Sequence, residues 1–476
     1  MMPLKPAEAK TSKERLRGLY KDLRDAIRGT QYDFTEGSLG RAIFLLSVPM
    51  VLEMVMESLF AVTDIFFVAR LGADAVATVG ITESVLTVLF GIAIGLSMST
   101  TAMVARRIGE KDPAGAAVAA VQAIAVCVIL SLVIAVAGVI SAPALLELMG
   151  ASPSIVRGGS GYTAVMLGGN LTIMLLFLNN AVFRGAGDAV IAMRALWLAN
   201  FINIVLGPCL IFGLGPFPEL GVVGAGVATN IGRGLGVVYQ FTVLFRGNGR
   251  VRLSRQNLQF DFGVMLRLLR VSVGGIAQFL IGTASWLALV RIISVFGSAA
   301  LAGYTVAIRI IVFGILPSWG LGNAAATLVG QNLGARKPER AERAVWVTAL
   351  CNIGFLGVVG LVFIVFAEPL LELFTGDPAV VPIGADCLRV ISYGYLFYAF
   401  GMVVVQAFNG AGDTMTPTMI NLFCYWCFQI PLAYGLALPM HLGPDGVFWA
   451  ICIAESVIAV VGVMVFRRGK WKERMI

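Results

Sequence analysis

The sequence predicts an all-α polytopic membrane protein, with twelve transmembrane helices in two six-helix lobes related by a pseudo-two-fold axis along the membrane normal. Three observations carry this expectation. Charged residues are scarce, long apolar runs recur between short polar breaks, and the second half repeats the pattern of the first. Of 476 residues, 58% are hydrophobic and 13% charged, against about 25% charged in an average soluble domain. At a mean hydropathy of +0.88, too little polar surface remains to cover the several soluble domains that this length would otherwise form. The same composition excludes a disordered chain, a fibrous repeat and a secreted disulfide scaffold.

Twelve apolar runs have approximate cores at 42–69, 75–105, 114–140, 159–183, 190–212, 221–245, 262–295, 299–331, 344–366, 380–408, 415–438 and 446–466. Each is long enough to cross a hydrocarbon layer of about 30 Å as a helix. Only helices and closed barrels satisfy the backbone in lipid, and runs without alternation are helices. An even number of spans puts both termini on one side. The loops on one side hold only Arg70 and Arg157, whereas the termini and the other loops hold most of the 35 Lys and Arg. By the positive-inside rule both termini are cytoplasmic, as in a multi-pass protein of the inner (plasma) membrane. The net charge of +8 is then a topology signal and calls for no nucleic-acid partner.

Residues 1–40 lack the apolar core of a signal peptide. Leu16, Leu19, Leu23 and Ile27 recur among Lys and Arg at a spacing that predicts an interfacial amphipathic helix, with a frayed tail as the alternative. The seven cysteines all fall in apolar runs, and Cys424 and Cys427 form a lone C-x-x-C. With one histidine, His441, no metal site and no cofactor are expected. The cluster Gly221, Gly224 and Gly226 lacks the strand context of a nucleotide site and reads as helix packing.

The halves align at a constant offset of 225 residues: Gly95-Leu96 with Gly320-Leu321, Pro113 with Pro338, and Phe183-Arg-Gly-Ala-Gly-Asp188 with Phe408-Asn-Gly-Ala-Gly-Asp413. One six-helix unit is therefore used twice, in the same orientation because six is even. The expected organisation is an amphipathic segment 1–40, an N-lobe 41–245, a charged linker 246–261, a C-lobe 262–466 and a basic tail 467–476. Two like bundles around a central cavity suit alternating access, in which one rocks against the other. Asp188 and Asp413 are expected to cap the helices that follow them.

Six acids lie within the spans: Glu53, Glu57, Asp64, Glu83, Asp386 and Glu455. A charge at mid-membrane costs about 2.5–3.5 kcal/mol on insertion scales, so each needs a cavity, a partner or a proton. On the first span Glu57 lies roughly 40° and Asp64 roughly 20° around the helix from Glu53. The three form one stripe about 16 Å long. Clustered carboxylates favour sharing protons, as a proton-coupled carrier requires. Arg233, Arg291, Arg309 and Arg389 also lie within spans, and Arg291, Arg309 and Arg389 suit partners for these acids.

Ser47-Val-Pro49, Val62-Thr-Asp64, Arg70-Leu-Gly72 and the Phe183–Asp188 motif, with the twelve spans and the repeat, resemble the multidrug and toxic compound extrusion (MATE) family. The resemblance runs from about residue 35 to 466. It implies a monomeric secondary antiporter in membrane lipid, which expels small cationic or amphipathic organic compounds as H⁺, or alternatively Na⁺, flows inward. It resembles the DinF-like branch more than the NorM-like branch, whose acids in helices 7 and 10 have no convincing counterpart here. DinF-like members carry a proton-linked polar cluster, which maps here onto Pro49, Asp64, Tyr162, Asn180, Asn203 and Thr229. Two positions depart from that pattern: Gly207 where an acid is usual, and Glu57 where Gln is common.

The resemblance and the stripe together imply ion coupling by Asp64 with Glu57 and Glu53. Glu83, Gln278 and Glu455 are secondary candidates. Ordinary alternatives exist: Asn180 and Asn203 as helix-to-helix hydrogen bonds, Tyr162 as packing, and Glu83 and Glu455 as structural acids. Two other functions stand beside antiport. A lipid-linked oligosaccharide flippase of the same superfamily would favour a cationic cavity, and a membrane-embedded enzyme would need a nucleophile and base at depth.

Overall fold

A computed structural model describes residues 12–247 and 249–476. The helices are α1 Ser12–Arg28, α2 Leu39–Val68, α3 Ala73–Gly109, α4 Pro113–Leu148, α5 Pro153–Gly168, α6 Asn170–Ala186, α7 Ala189–Phe212 and α8 Val222–Arg246. They continue as α9 Phe262–Ile293, α10 Ser298–Gly334, α11 Pro338–Val365, α12 Ala367–Glu372, α13 Val381–Tyr393, α14 Tyr395–Gly410, α15 Met415–Asn421, α16 Ile430–Ala437 and α17 Pro444–Arg467. A π-helical stretch, Leu422–Gln429, joins α15 to α16. Among the described residues there is no strand.

Ten of these segments are long and apolar enough to cross a membrane, and the α13/α14 pair, bent by 58°, is an eleventh. The twelfth is α8, where Thr229, Asn230 and Arg233 dilute the apolar run. The chain is thus a multi-pass membrane protein of twelve spans in two lobes. Breaks and caps follow local chemistry. Asp112 accepts the Gly115 N–H at 2.8 Å and Pro113 opens α4, where a missing N–H costs nothing. Asp261 accepts the Val264 N–H at 3.0 Å and starts α9.

The repeat is visible in the backbone. Helices α3 and α10 begin and end 225 residues apart, as do the breaks at Gly169 and Gly394. Even the strained positions recur: Lys111 and Arg336, both non-glycine, take φ of 62° and 57°. Span five is an uninterrupted α-helix, α7, whereas its counterpart in the C-lobe carries the π-helical stretch.

The lobes meet through glycines placed symmetrically. A Cβ on Gly109 would lie 2.0 Å from the Gln331 oxygen, and one on Gly334 would lie 2.1 Å from the Arg106 oxygen. Higher up, Gly95 seats against the Ser272 and Ile276 backbone and Gly320 against Met50 and Val51, all under 3 Å from a Cβ. Among the described residues, the hydrogen bonds that join the two lobes all lie in the half of the molecule nearest the termini. Ser99 and Ser272 hydroxyls meet at 2.7 Å, Thr327 donates to the Arg184 carbonyl at 3.1 Å, and Gln331 donates to the Gly185 carbonyl at 2.9 Å. The lobes are closed on the terminal side.

An irregular strap, residues 29–38, crosses that side between α1 and α2. Arg340 donates to the carbonyls of Glu36 and Gly37 at 2.8 and 3.0 Å, Lys337 to that of Thr35 at 3.0 Å, and Arg250 to that of Tyr32 at 2.5 Å. Asp33 binds Lys111 on the N-lobe. Burial works against ionisation of Asp33. The Lys111 ammonium and the Thr35 hydroxyl and N–H outweigh it and hold the carboxyl at about 2.

Asp188 differs from its expected role. It makes no cap to α7 and instead accepts the Arg250 N–H at 2.6 Å, with the Arg250 guanidinium at 3.4 Å. Asp413 likewise caps no backbone N–H of the following helix; it accepts the Thr416 hydroxyl at 2.7 Å and pairs with Arg474 at 3.2 Å. Each repeated aspartate thus fastens the segment that follows its lobe. Gly224 packs as expected, since a Cβ there would meet the Leu210 oxygen at 2.4 Å.

Candidate functional site

Two chambers lie side by side between the lobes. One, of about 330 Å³, is walled by Glu53, Glu57, Asn180 and Arg184 from the N-lobe and by Asn323 and Asn409 from the C-lobe. The other, of about 450 Å³, is lined by Gln278, Glu455, Tyr398, Tyr425 and Trp286, all from the C-lobe. Ile94, Met98, Phe279, Trp319 and Gln406 border both.

The N-lobe chamber is built from residues four apart on facing helices. Glu53 and Glu57 share a face of α2, and Asn180 and Arg184 share a face of α6. Glu53 is 1% exposed. Its Oε1 accepts the Asn180 amide at 2.9 Å and Arg184 Nη1 at 3.1 Å. Gln240 of α8 donates to Asn180 Oδ1 at 2.6 Å, which turns the Asn180 NH₂ toward the acid. Glu57 Oε1 is 3.3 Å from Arg233 Nη2. The Arg233 guanidinium also sits 5.2 Å from the Phe60 ring and 5.9 Å from the Phe177 ring, a cation–π arrangement.

Two charges taken from water need each other and further hydrogen bonds to be tolerated. Here the pairing is incomplete. Glu53 Oε2, Glu57 Oε2, and Arg233 Nε and Nη1 are buried without a partner among the described residues. A site with spare acceptors and donors can bind a proton or a polar group, because each orphaned atom is costly to leave unmatched.

The C-lobe chamber has a different chemistry. Glu455 Oε1 accepts the Tyr425 hydroxyl at 3.2 Å and has no cationic partner among the described residues. Gln278 Oε1 is buried and unmatched. Tyr425 belongs to the π-helical stretch, and such stretches often mark functional positions. Carboxylate and aromatic rings around one cavity form a surface suited to an organic cation.

The structure brings some sequence-selected residues together and separates others. Asn180 meets Glu53 directly. Asn203 donates to Thr229 at 2.9 Å, joining α7 to α8 one turn from Arg233. Tyr162 is buried against Gly226, behind the chamber rather than in it. Pro49 sits one turn before Glu53 inside α2 and does not line the chamber. Glu83 is exposed and lines neither chamber. Asp64 is in α2, but its side chain lies outside the described residues, so the stripe is seen only through Glu53 and Glu57. A Cβ at Gly207 meets nothing within 4 Å, so the backbone leaves room there for a larger side chain.

Arg184 and Gln240 were not among the residues selected. Arg184 stands inside the Phe183–Asp188 motif, where it reads as one more loop charge, yet it is buried on α6. The signal that marks it is the repeat itself. At an offset of 225, Glu53 and Arg184 become Gln278 and Asn409, so acid and base change together.

The MatE family model matches residues 49–209 and again 275–435, once per lobe. A protein described as a probable multidrug resistance protein NorM, from Thermotoga maritima, is 26% identical over 437 residues, covering 92% of this chain and 94% of its own. A protein described as an FAD transporter, from Shewanella oneidensis, is 25% identical over 431 residues, covering 89% and 93%. A solved structure, of MATE in complex with MaL6, superposes with a TM-score of 0.87 at 28% identity, over 93% of this chain and 99% of that one.

Proposed function

Because this chain belongs to the MatE family of transporters, we propose that it is a secondary antiporter that exports cationic or amphipathic organic compounds in exchange for inward H⁺. The observation that carries this reading is the buried Glu53–Arg184 and Glu57–Arg233 array on one wall of a cavity between two lobes. The named relatives are drug exporters more often than anything else, which favours this reading over a flippase. The N-lobe position of the array supports the DinF-like branch. Lysines and arginines concentrate on the terminal side, which supports cytoplasmic termini in the plasma membrane and hence a cavity that faces outward here.

The chemistry of the array gives the coupling step. With both glutamates ionised, each pair is neutral and the cavity tolerates a cation. A proton taken from outside by Glu57, with Asp64 on the same face of α2, removes one negative charge and leaves Arg233 unbalanced. The cavity is then net positive, and a cationic substrate is expelled outward. When the lobes rock, the proton leaves to the other side and the neutral pair re-forms. Proton and substrate thus oppose each other through one pair of charges, which is negative linkage. Arg184 carries the event to the lobe interface, since its own carbonyl holds Thr327 of α10.

The test is efflux of a fluorescent cation from proteoliposomes of the purified monomer, with ΔpH and ΔpNa imposed separately. ΔpH alone should drive it, and Asp64→Asn and Glu57→Gln should abolish it. Efflux driven by ΔpNa alone would make Na⁺ the coupling ion, and efflux under neither gradient would end the antiport reading.

A further inference from the structure

A third cavity, of about 460 Å³, lies outside both chambers, at the terminal-side end of α7 and α8 and beneath α1. Three arginines reach it from three elements: Arg28 ends α1, Arg194 is in the second turn of α7, and Arg246 ends α8. None has a carboxylate partner among the described residues. Arg194 spends one N–H on the Arg28 carbonyl at 3.0 Å. The two acids of the same cavity are already committed, Asp25 to Arg41 at 3.1 Å and Asp188 to Arg250 at 3.4 Å. The cavity therefore carries a net positive charge that no acid among the described residues neutralises.

Its surroundings say where this charge sits. The outer faces of α7 and α8 expose Phe201, Val238 and Phe245, as lipid-facing helices do. Trp197, half-exposed one turn beyond Arg194, is the residue type that gathers at the level of lipid headgroups. Helix α1 exposes Tyr20, Leu23 and Ile27 on one apolar face, as in helices that lie in the membrane interface. Val190, Ile191 and Val243 form an apolar wall of the cavity beside the arginines.

The repeat narrows which charge is particular to this corner. At an offset of 225, Arg194 becomes Met419. The last helix of each lobe repeats at 222, its flanking Gly221 and Gly247 matched by Gly443 and Gly469, so Arg246 corresponds to Arg468. In the C-lobe the completely buried Trp471, stacked on Phe466 at 4.6 Å, packs directly after that helix. Of the two, Arg194 is the cation without a cationic counterpart in the C-lobe.

We propose that this cavity binds the phosphate of an anionic phospholipid headgroup, with its acyl chains along α7 and α8. Guanidinium forks match phosphate oxygens in pairs, and basic pockets between membrane helices are where anionic headgroups dock. The bound lipid fastens α1 to the N-lobe, and through the adjoining strap it biases the closed state of the terminal side.

The test uses full-length protein in neutral detergent, titrated with phosphatidylglycerol, phosphatidylcholine or glycerol 3-phosphate. Bound lipid is counted by native mass spectrometry and the melting temperature is followed in parallel. Phosphatidylglycerol should remain bound and raise the melting temperature, and phosphatidylcholine should do neither. The double variant Arg194→Gln/Arg246→Gln should weaken phosphatidylglycerol binding at least tenfold. Arg468→Gln, which removes a charge at the exposed end of α17, should leave it unchanged. Equal weakening by Arg468→Gln, or retained binding in the double variant, would overturn the site. Glycerol 3-phosphate binding as tightly as the lipid would overturn the lipid as its source. A double variant that melts as the wild type does without lipid keeps loss of binding distinct from loss of fold.

Discussion

The two lobes share a backbone and divide the chemistry. In the N-lobe, Glu53 faces Arg184 and Glu57 faces Arg233. The matching positions of the C-lobe are Gln278 with Asn409, at the offset of 225, and Gly282 with Glu455, because the last helix repeats at 222, where the caps Gly221 and Gly443 match. The first ion pair has been replaced as a unit by an uncharged pair. At the second, an acid stands where the N-lobe has an arginine, the partner position is a glycine, and a tyrosine holds the acid instead. Duplication supplied two equal frames. The ion pairs were kept in one of them, which separates a site that handles protons from a site that can receive a cation beside aromatic rings.

The largest effect expected from this asymmetry is on stability. Arg184→Ala strands Glu53 without its cation, at a cost of about 3–5 kcal/mol. Asn409→Ala, its partner in the repeat, removes one hydrogen-bonding group, at about 1 kcal/mol. Unfolding of both variants in detergent measures the difference, and equal losses would break the comparison. The exchange Glu53→Gln/Gln278→Glu moves the acid between lobes without changing the total charge. Proton-driven efflux should fall at least tenfold, because position 278 has no arginine to answer it. Recovered efflux would show that the lobes are interchangeable.

Closure is shared equally by the lobes, so its variants should behave alike. Gly109→Val and Gly334→Val should each slow transport about tenfold while leaving substrate affinity nearly unchanged. A shifted distance between spin labels on α3 and α10 would report the wedge. Tyr425→Phe removes one hydrogen bond to Glu455, about 1 kcal/mol, and should change cation affinity about fivefold, read by fluorescence titration. The smallest effect belongs to Asp33. Its folded value of about 2 lies below the ordinary 3.8, so its contribution is complete above about pH 4 and fades as pH falls through 2. With the pair partly exposed, Asp33→Asn should cost under about 0.5 kcal/mol at pH 6 and nothing near pH 2. Melting curves across that range would show whether the two converge.

The fold was legible because its causes are local and repeated. Apolar runs fix the spans, and a constant offset fixes the duplication. Glu53 and Glu57 were legible as expensive charges on one face of one helix. Their partners were less so, because which arginine crosses a bundle depends on how α6 and α8 pack against α2, and periodicity within one helix does not report that. Arg184 was hidden by its position beside a glycine-rich turn, although α6 runs two residues past it. Span six is less apolar than the others for the same reason that it matters, since Arg233 and Thr229 lie in it. Asp188 read as a cap from its place before a helix, but its real partner lies 62 residues away.

The strap over the terminal side has a last implication for what this chain can tolerate. Arg340, Lys337 and Arg250 take hold of main-chain oxygens, at Glu36, Gly37, Thr35 and Tyr32, rather than of side chains. Every residue type offers the same oxygen, so most exchanges at these positions leave the grip intact. What the clasp measures is the count of residues between α1 and α2. One residue inserted or removed would put the oxygens out of step with both lobes at once, while a wholesale rewrite of the same length would pass almost unnoticed.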